Sequence, residues 1–337
     1  MQIGIIGLPQ SGKSETFKLV TGEEPLVSGK LQKAIIAVPD PRLDALAEML
    51  SSKKVTYAAA EFLDAQAKDE KNKSASETIT ALRDTDLLLF VIRGFDTPGL
   101  ERHPENDLYD IQTELTVIDL DIVLRRLEKL QKPARSTVPE EAEKEKALLE
   151  KAREILEAEK PLSELEMTED MEKIIRSFQF LTLKPHVVIY NTDEDHRDLP
   201  ESFPENSLNI CAQLENELLE MEPDEQKEFM VDMGIKTFSR DRIVSACLEA
   251  LNLITFYTAG EKESKAYLVP EGTSIVKASG KIHSDIEKGF IRAEVFNYTK
   301  YKEAGSYKQA KANGDMQLVS RDYIVQDGDM LDVRFSV

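Results

Sequence analysis

Residues 7–14 read Gly-Leu-Pro-Gln-Ser-Gly-Lys-Ser, which satisfies the pattern G-x-x-x-x-G-K-[ST]. Two glycines at this spacing let successive backbone amides converge on one anion. Gly7, Pro9, Gln10, Ser11 and Gly12 would form the cradle. Lys13 would reach the outer oxygens of a chain of phosphoryl groups, and the Ser14 hydroxyl would ligate Mg2+. Glu15 follows in what would be the first helical turn, where a carboxylate complements the helix dipole. The string carries meaning because of its surroundings: the apolar run Ile3–Ile6 precedes it and a helical pattern over Lys13–Val20 follows. Strand, glycine-rich turn and helix N-terminus together make an anion site.

The elements that must hold this loop are legible as alternation. Short apolar runs occur at Ile3–Ile6, Ala34–Val38, Tyr57–Leu63, Leu87–Ile92, Val187–Tyr190 and Leu208–Cys211. Several are nearly continuous in apolar character, as in strands buried on both faces of a parallel sheet. Helical patterns at Pro41–Leu50 and Ala75–Arg83 lie between them. The class is therefore α/β, a phosphate-loop NTPase with a mainly parallel sheet. From about Asp107 to Leu181 the alternation stops. Leu120, Val123, Leu124, Leu127 and Leu130 fall at helical spacing, and Leu148, Ala152, Ile155 and Leu156 repeat it beyond Pro133 and Pro139. This predicts an antiparallel helical hairpin of coiled-coil type, with Pro161 ending its second arm and a short helix over Met171–Phe178. A helix over Asp241–Leu253 leads into a third segment. There, turn signals separate short β-like runs at Lys265–Leu268, Ile291–Phe296, Tyr323–Val325 and Leu331–Phe335. The division expected is 1–110 with 182–254 for the phosphate-loop domain, 111–181 for the hairpin insertion and 255–337 for a small α+β domain.

The chain has 337 residues, 43 Lys and Arg against 63 Asp and Glu, and a formal charge of −20. Bulk attraction to nucleic acid is excluded by that sign, and no DNA partner is expected. The acid is uneven: residues 255–337 hold 12 basic and 12 acidic side chains, so the excess lies in the rest. If one part meets RNA, it is this neutral segment. No run of 18 apolar residues exists, so no membrane partner is expected. The opening residues lack the pattern of a secretory signal, and two cysteines, Cys211 and Cys247, cannot build a disulfide framework. The expected compartment is the cytoplasm.

Longer strings make the class narrower. Residues 7–14, Val38-Pro39-Asp40-Pro41-Arg42-Leu43-Asp44, Phe256–Gly260, Gly280–Val295 and Asp322–Asp329 resemble the signatures of the YchF/Obg-like ATPase family, with this chain a divergent member. The resemblance spans nearly the whole chain and is weakest at 21–33 and 68–73. It implies a C-terminal TGS domain of β-grasp type and ribosome or RNA contact through that domain. It also implies ATP or GTP as the ligand with Mg2+. The strand Val187–Tyr190 runs into Asn191-Thr192-Asp193-Glu194, similar to the family's Asn-x-x-Glu base loop. There Asn191 would bond the base edge, Thr192 would offer its backbone, and Glu194 replaces the shorter Asp that reads guanine. Cys211 and Ala212 resemble the loop that closes over the base.

Other positions depart from the family pattern. Asp64 ends the Tyr57–Leu63 run and suits Mg2+ or, equally, a strand-end cap, but the sequence continues Ala65-Gln66-Ala67, without the usual glycine. Thr21 and Ser28 are the only hydroxyls in the shortened first switch segment, and neither is assigned. The family's catalytic-type histidine would lie in the loop after Phe95. His103 is the nearest histidine and the catalytic candidate, against the plainer reading of an inert surface side chain. These departures point to a purine-nucleotide switch with slow or impaired hydrolysis. The alternative is a non-hydrolysing ribosome- or RNA-binding module. Whether the chain is an enzyme stays open at this level.

Overall fold

A computed structural model describes residues 1–26, 31–64, 73–131, 140–194 and 198–336. By compactness the chain forms two units, Met1–Ala34 with Glu61–Ile243, and Ile35–Ala60 with Val244–Val337.

The first unit begins with β1 (Gln2–Ile6) and α1 (Lys13–Thr21). The chain then runs through β2 (Gln32–Val38), α2 (Pro41–Leu50), β3 (Val55–Thr56) and β4 (Ala58–Asp64). It continues with α3 (Lys73–Asp84), β5 (Leu87–Gly94), α4 (Pro104–Gln131), α5 (Glu140–Glu157) and α6 (Glu169–Ile175). After these come β6 (His186–Thr192), β7 (Leu208–Ile210), α7 (Ala212–Leu219), α8 (Pro223–Asp232) and α9 (Ser239–Ala250). Six strands form one sheet in the order β2-β4-β1-β5-β6-β7. The pairs β1–β4, β1–β5, β5–β6 and β6–β7 are all parallel. All eight residues of β5 are buried. That explains its unbroken apolar run, because parallel strands with helices on both faces leave no wet side. Arg93 is the exception in β5: its guanidinium donates to the Glu101 carbonyl at 2.7 Å and ties down the following loop.

The helical hairpin is present, and its arms are antiparallel: Arg126 pairs with Glu145 while Tyr109 bonds Glu159. Val123 and Leu127 of α4 bury against Leu148, Leu149, Ala152 and Leu156 of α5. The same α4 starts earlier than patterning predicts. Its first turns place Leu108, Ile111 and Leu115 in the sheet's own core with Phe90, Ile92 and Tyr190. One helix thus serves two cores. At the crossover sits Asp119, fully buried, which accepts bonds from Leu181 N (3.1 Å), Thr182 N (2.8 Å) and Thr182 Oγ1 (2.8 Å). Burial pushes its carboxyl above the ordinary range even against those donors.

The second unit carries a sheet in the order β11-β10-β12-β8-β9-β3. Its strands are β8 (Leu253–Ala259), β9 (Ser264–Pro270), β10 (Phe290–Asn297), β11 (Gln317–Val319), β12 (Asp329–Phe335) and the short β3. Helix α10 (Ile275–Ile282) covers the core formed by Phe256, Val269, Val295 and Leu331. Helices α11 (Ser284–Lys288), α12 (Tyr298–Ala304) and α13 (Tyr307–Asn313) complete it.

Two points differ from the patterning. Tyr323–Val325 is no strand. Its backbone groups bond to Thr273 and Ile275 at the start of α10, and Ile324 makes only an isolated bridge to Ser274. The strand in that region is Gln317–Val319 instead. Patterning also assigns 35–60 to the phosphate-loop domain, whereas these residues pack with the C-terminal ones. Asp40 caps α2 through Arg42 N at 3.0 Å, with Pro41 in the first turn. Its other carboxylate oxygen accepts Tyr257 Oη at 2.5 Å, and Arg42 reaches on to Asp327 at 2.5 Å. Burial raises the Asp40 carboxyl, but the bonds from Arg42 and Tyr257 outweigh it and hold it below the usual range.

Replacing Asp119 by Ala should leave three buried donors without an acceptor and lower unfolding stability by about 3 kcal/mol, read from the urea midpoint. His186, stacked on Phe90 at 4.7 Å, has its pKa lowered below 6.5 by burial. The unfolded chain therefore binds that proton first, and stability should fall as pH drops below about 6.5. His186→Phe should flatten that slope in unfolding titrations.

Candidate functional site

The loop from Gly7 to Ser14 joins the buried end of β1 to α1. Gln10 and Gly12 adopt positive φ, 64° and 88°, and Gly12 is the N-cap of α1. A side chain at Gly7 would collide with the Val91 carbonyl oxygen and come within 2.7 Å of Ser11 Oγ; one at Gly12 would overlap Asn191 Nδ2. The closeness of their neighbours requires glycine at both positions, and the positive φ adds to that at Gly12. Lys13 folds back over the loop, donating to the carbonyls of Gly7 (2.9 Å) and Leu8 (2.8 Å). Burial lowers its pKa, partly offset by the charges of Asp64 and Glu114. Ser11 Oγ is buried and has no hydrogen-bond partner among the described residues, a donor inside the cradle. The loop, with Phe95 and Thr97, lines a cavity of about 480 Å³.

A second cavity of about 300 Å³ adjoins it and shares Gly12, Glu15 and Phe95. Asn191, Thr192, Asp193, Glu194, Cys211 and Gln213 complete most of its wall. The predicted base-loop residues are thus brought to the phosphate loop from 180 positions away in the chain. Asn191 is buried, and both ends of its amide are engaged. Nδ2 donates to Ser11 O at 3.1 Å, and Oδ1 accepts Ala212 N at 3.1 Å. Asn191 thereby clamps the two loops together while it lines the cavity. Thr192 Oγ1 donates to Ile210 O at 2.9 Å, fixing β6 to β7 beyond the backbone ladder. Cys211 is the N-cap of α7, half-buried, while Cys247 is fully buried with its thiol pushed up to about 12.

Glu15 does more than complement a dipole. Its carboxylate accepts Asn216 Nδ2 at 2.9 Å, and its carbonyl accepts the same group at 3.0 Å, which locks α1 to α7. Asn216 and Phe95 are the residues that sequence reasoning misses. The available signal for Phe95 is an aromatic one step past the end of the central strand. Asn216 gives none, being one polar residue in a helix.

The candidate metal ligands lie at the phosphate end. Asp64 is the last residue of β4, 1% exposed, and its charge acts on Lys13. A hydroxyl and a carboxylate are hard oxygen donors and fit Mg2+, with the phosphates to supply further oxygens. No group of three or more His, Cys, Asp or Glu side chains converges among the described residues. Thr21 is spent on Phe17 O at 2.7 Å. Ser28 and Ala65-Gln66-Ala67 lie outside the described residues. His103 is exposed just before α4, its carbonyl accepting Asp107 N at 2.8 Å, and it lines neither cavity.

A glycine-rich loop between a central parallel strand and a helix, with a lysine, a hydroxyl and a strand-end aspartate around it, defines the phosphate-loop NTPase class. Comparisons with known proteins narrow this. The family YchF-GTPase_C, described as "Protein of unknown function (DUF933)", matches residues 253–336. The "Ribosome-binding ATPase YchF" of Pasteurella multocida (strain Pm70) is 34% identical, with 99% of each chain covered. That of Bacillus subtilis (strain 168) is 32% identical, again over 99% of each. The solved structure of the Schizosaccharomyces pombe YchF GTPase superposes with a TM-score of 0.86 at 26% identity, covering 99% of this chain and 97% of that one. The chain belongs to the YchF family, an Obg-related phosphate-loop family.

Asn191→Ala should break the clamp and leave Ala212 N unsatisfied. A loss of about 1–3 kcal/mol is expected, with triphosphate affinity down roughly tenfold or more by calorimetry. Gly12→Ala, which adds a Cβ against the same amide, should abolish binding while the circular dichroism spectrum stays that of the folded chain.

Proposed function

We propose that this chain binds a purine nucleoside triphosphate with Mg2+, ATP in preference to GTP, hydrolyses it slowly, and couples the bound state to ribosome association in the cytoplasm. The observation that carries the reading is the adjacency of two cavities that share Gly12, Glu15 and Phe95, one edged by Lys13 and the phosphate loop, the other by Asn191–Glu194, with Asn191 bonded to Ser11 between them. The triphosphate would follow the loop from Gly7 to Ser14, and the base would lie beyond Gly12, against Phe95. Lys13 would exchange the Gly7 and Leu8 carbonyls for phosphoryl oxygens, and the Ser11 hydroxyl would gain an acceptor. Ser14 and Asp64 would hold Mg2+, which when bound supplies charge neutralisation on those oxygens.

Slow turnover is supported by what surrounds the phosphate cavity. Among the described residues its wall holds no histidine, and its one carboxylate, Glu15, is held by Asn216. A water attacking in line would rely on the loop amides and Lys13 for charge stabilisation, with no free base in that wall among the described residues. ATP preference is supported by Glu194 at the place where an Asp reads guanine, with no lysine after Asn191. The relatives from Pasteurella and Bacillus carry the name ribosome-binding ATPase. Ribosome contact through the C-terminal unit fits its charge balance, 12 against 12 in a chain of −20.

Calorimetric titrations of ATP and GTP with Mg2+ should show ATP bound at least roughly tenfold more tightly. Single-turnover assays should show phosphate release well below typical enzyme rates of about 10 per second, and absent in Lys13→Ala. No heat with either nucleotide would end the reading. No release above the Lys13→Ala control would make the chain a non-hydrolysing binder. Ribosome co-sedimentation should differ between ATP-bound and nucleotide-free protein.

A further inference from the structure

We infer that the groove between α3 and α4 binds an acidic amphipathic helix of a protein partner. The groove encloses about 670 Å³, and Arg83, Arg125, Arg126 and Lys129 line it against one carboxylate, Asp121. In a chain of formal charge −20 this is an island of the opposite sign. Its floor and walls are aliphatic, with Ile79, Val117, Ile118 and Ile122 along its length and Phe178 among the lining residues. Val117 is 59% exposed, unusual for a valine on a helix that serves two cores.

The charge is only partly spent. Arg126 is bidentate to Glu145 at 2.7 and 2.8 Å, and Arg125 bonds Asp121 at 2.9 Å. Lys129 has no ion pair among the described residues. Arg83 Nε is buried with no hydrogen-bond partner among them, although the charge of its guanidinium reaches the buried Asp119. Arg83 lines the groove, where a carboxylate brought by an occupant can pair with its guanidinium. An occupant must therefore bring carboxylates for Arg83 and Lys129, and aliphatic side chains for the strip centred on Val117. A helix whose aliphatic stripe is flanked by acidic residues does both.

The same features disfavour RNA as the occupant. Nucleic acid in such a groove needs a row of free cations and an aromatic face for stacking. Two of the four cations are already paired, and the Phe178 ring is stacked on Phe180 at 5.3 Å. The aliphatic strip would gain nothing from a phosphate backbone.

The test is fluorescence anisotropy on the full chain without nucleotide. The probe is a labelled helical peptide of about sixteen residues, with leucines at helical spacing and glutamates elsewhere. Two controls accompany it, the same peptide with lysine for glutamate, and an RNA duplex. The glutamate peptide should bind, the lysine peptide should not, and binding should weaken as salt rises. Lys129→Glu and Val117→Ser alter exposed side chains and should each weaken binding roughly tenfold or more, with calorimetric ATP affinity unchanged. The inference is overturned if the glutamate peptide binds no better than its lysine counterpart, if neither variant changes its affinity, or if the RNA duplex alone binds and the variants abolish that. Because no nucleotide is present, these outcomes leave the nucleotide reading to its own titration.

Discussion

One buried amide holds the site together. Asn191 donates to the phosphate loop at Ser11 and accepts from the start of α7 at Ala212. Neither loop has a regular partner for those backbone groups, since one lies between strand and helix and the other follows the short β7. Without the clamp, each would have to satisfy a buried polar group alone, which costs free energy. With it, the base-side and phosphate-side walls become one surface. Gly12 and Asn191 are therefore one feature: the residue without a side chain makes room for the amide that crosses it. Glu15 and Asn216 repeat the device one turn further on, tying α1 to α7 through a carboxylate and a carbonyl at once.

The second organising element is α4. Its N-terminal turns belong to the core under the parallel sheet, and its C-terminal turns belong to the hairpin core with α5. The hairpin is continuous with the sheet through one rigid rod. Asp119 marks the crossover, where the chain returning toward β6 bonds its backbone to a buried carboxylate in place of a strand partner. An apolar residue there would leave those amides unmet. The raised pKa of Asp119 is the cost that burial imposes on a charge put to structural use.

Much of this was readable from residues in order. The unbroken apolar run of β5 announced a strand buried on both faces, and all eight residues are so buried. The glycines at 7 and 12 announced a turn with close backbone approach, and both sit where a Cβ would collide. The strings at 38–44, 256–260 and 322–329 marked a shared ancestry, but not that they meet. Asp40, Arg42, Tyr257 and Asp327 form one bonded cluster, which moves residues 35–60 from the expected phosphate-loop domain into the C-terminal unit. Short-range periodicity cannot report a pairing across more than 200 positions. Tyr323–Val325 had the β-branched and aromatic content of a strand, yet its backbone found partners at the start of α10.

The anion cradle, the strand–helix alternation and the family could be read from residues in order. These depend on local backbone freedom, on hydrophobic period and on strings of adjacent residues. Which polar groups are spent and which are left over came from the closed fold. Asn191 became a clamp because Ser11 and Ala212 came within 3.1 Å of it, and Arg83 Nε was brought no acceptor among the described residues. Hydrogen bonds act over one contact distance, and contact between remote positions exists only once the chain has closed on itself.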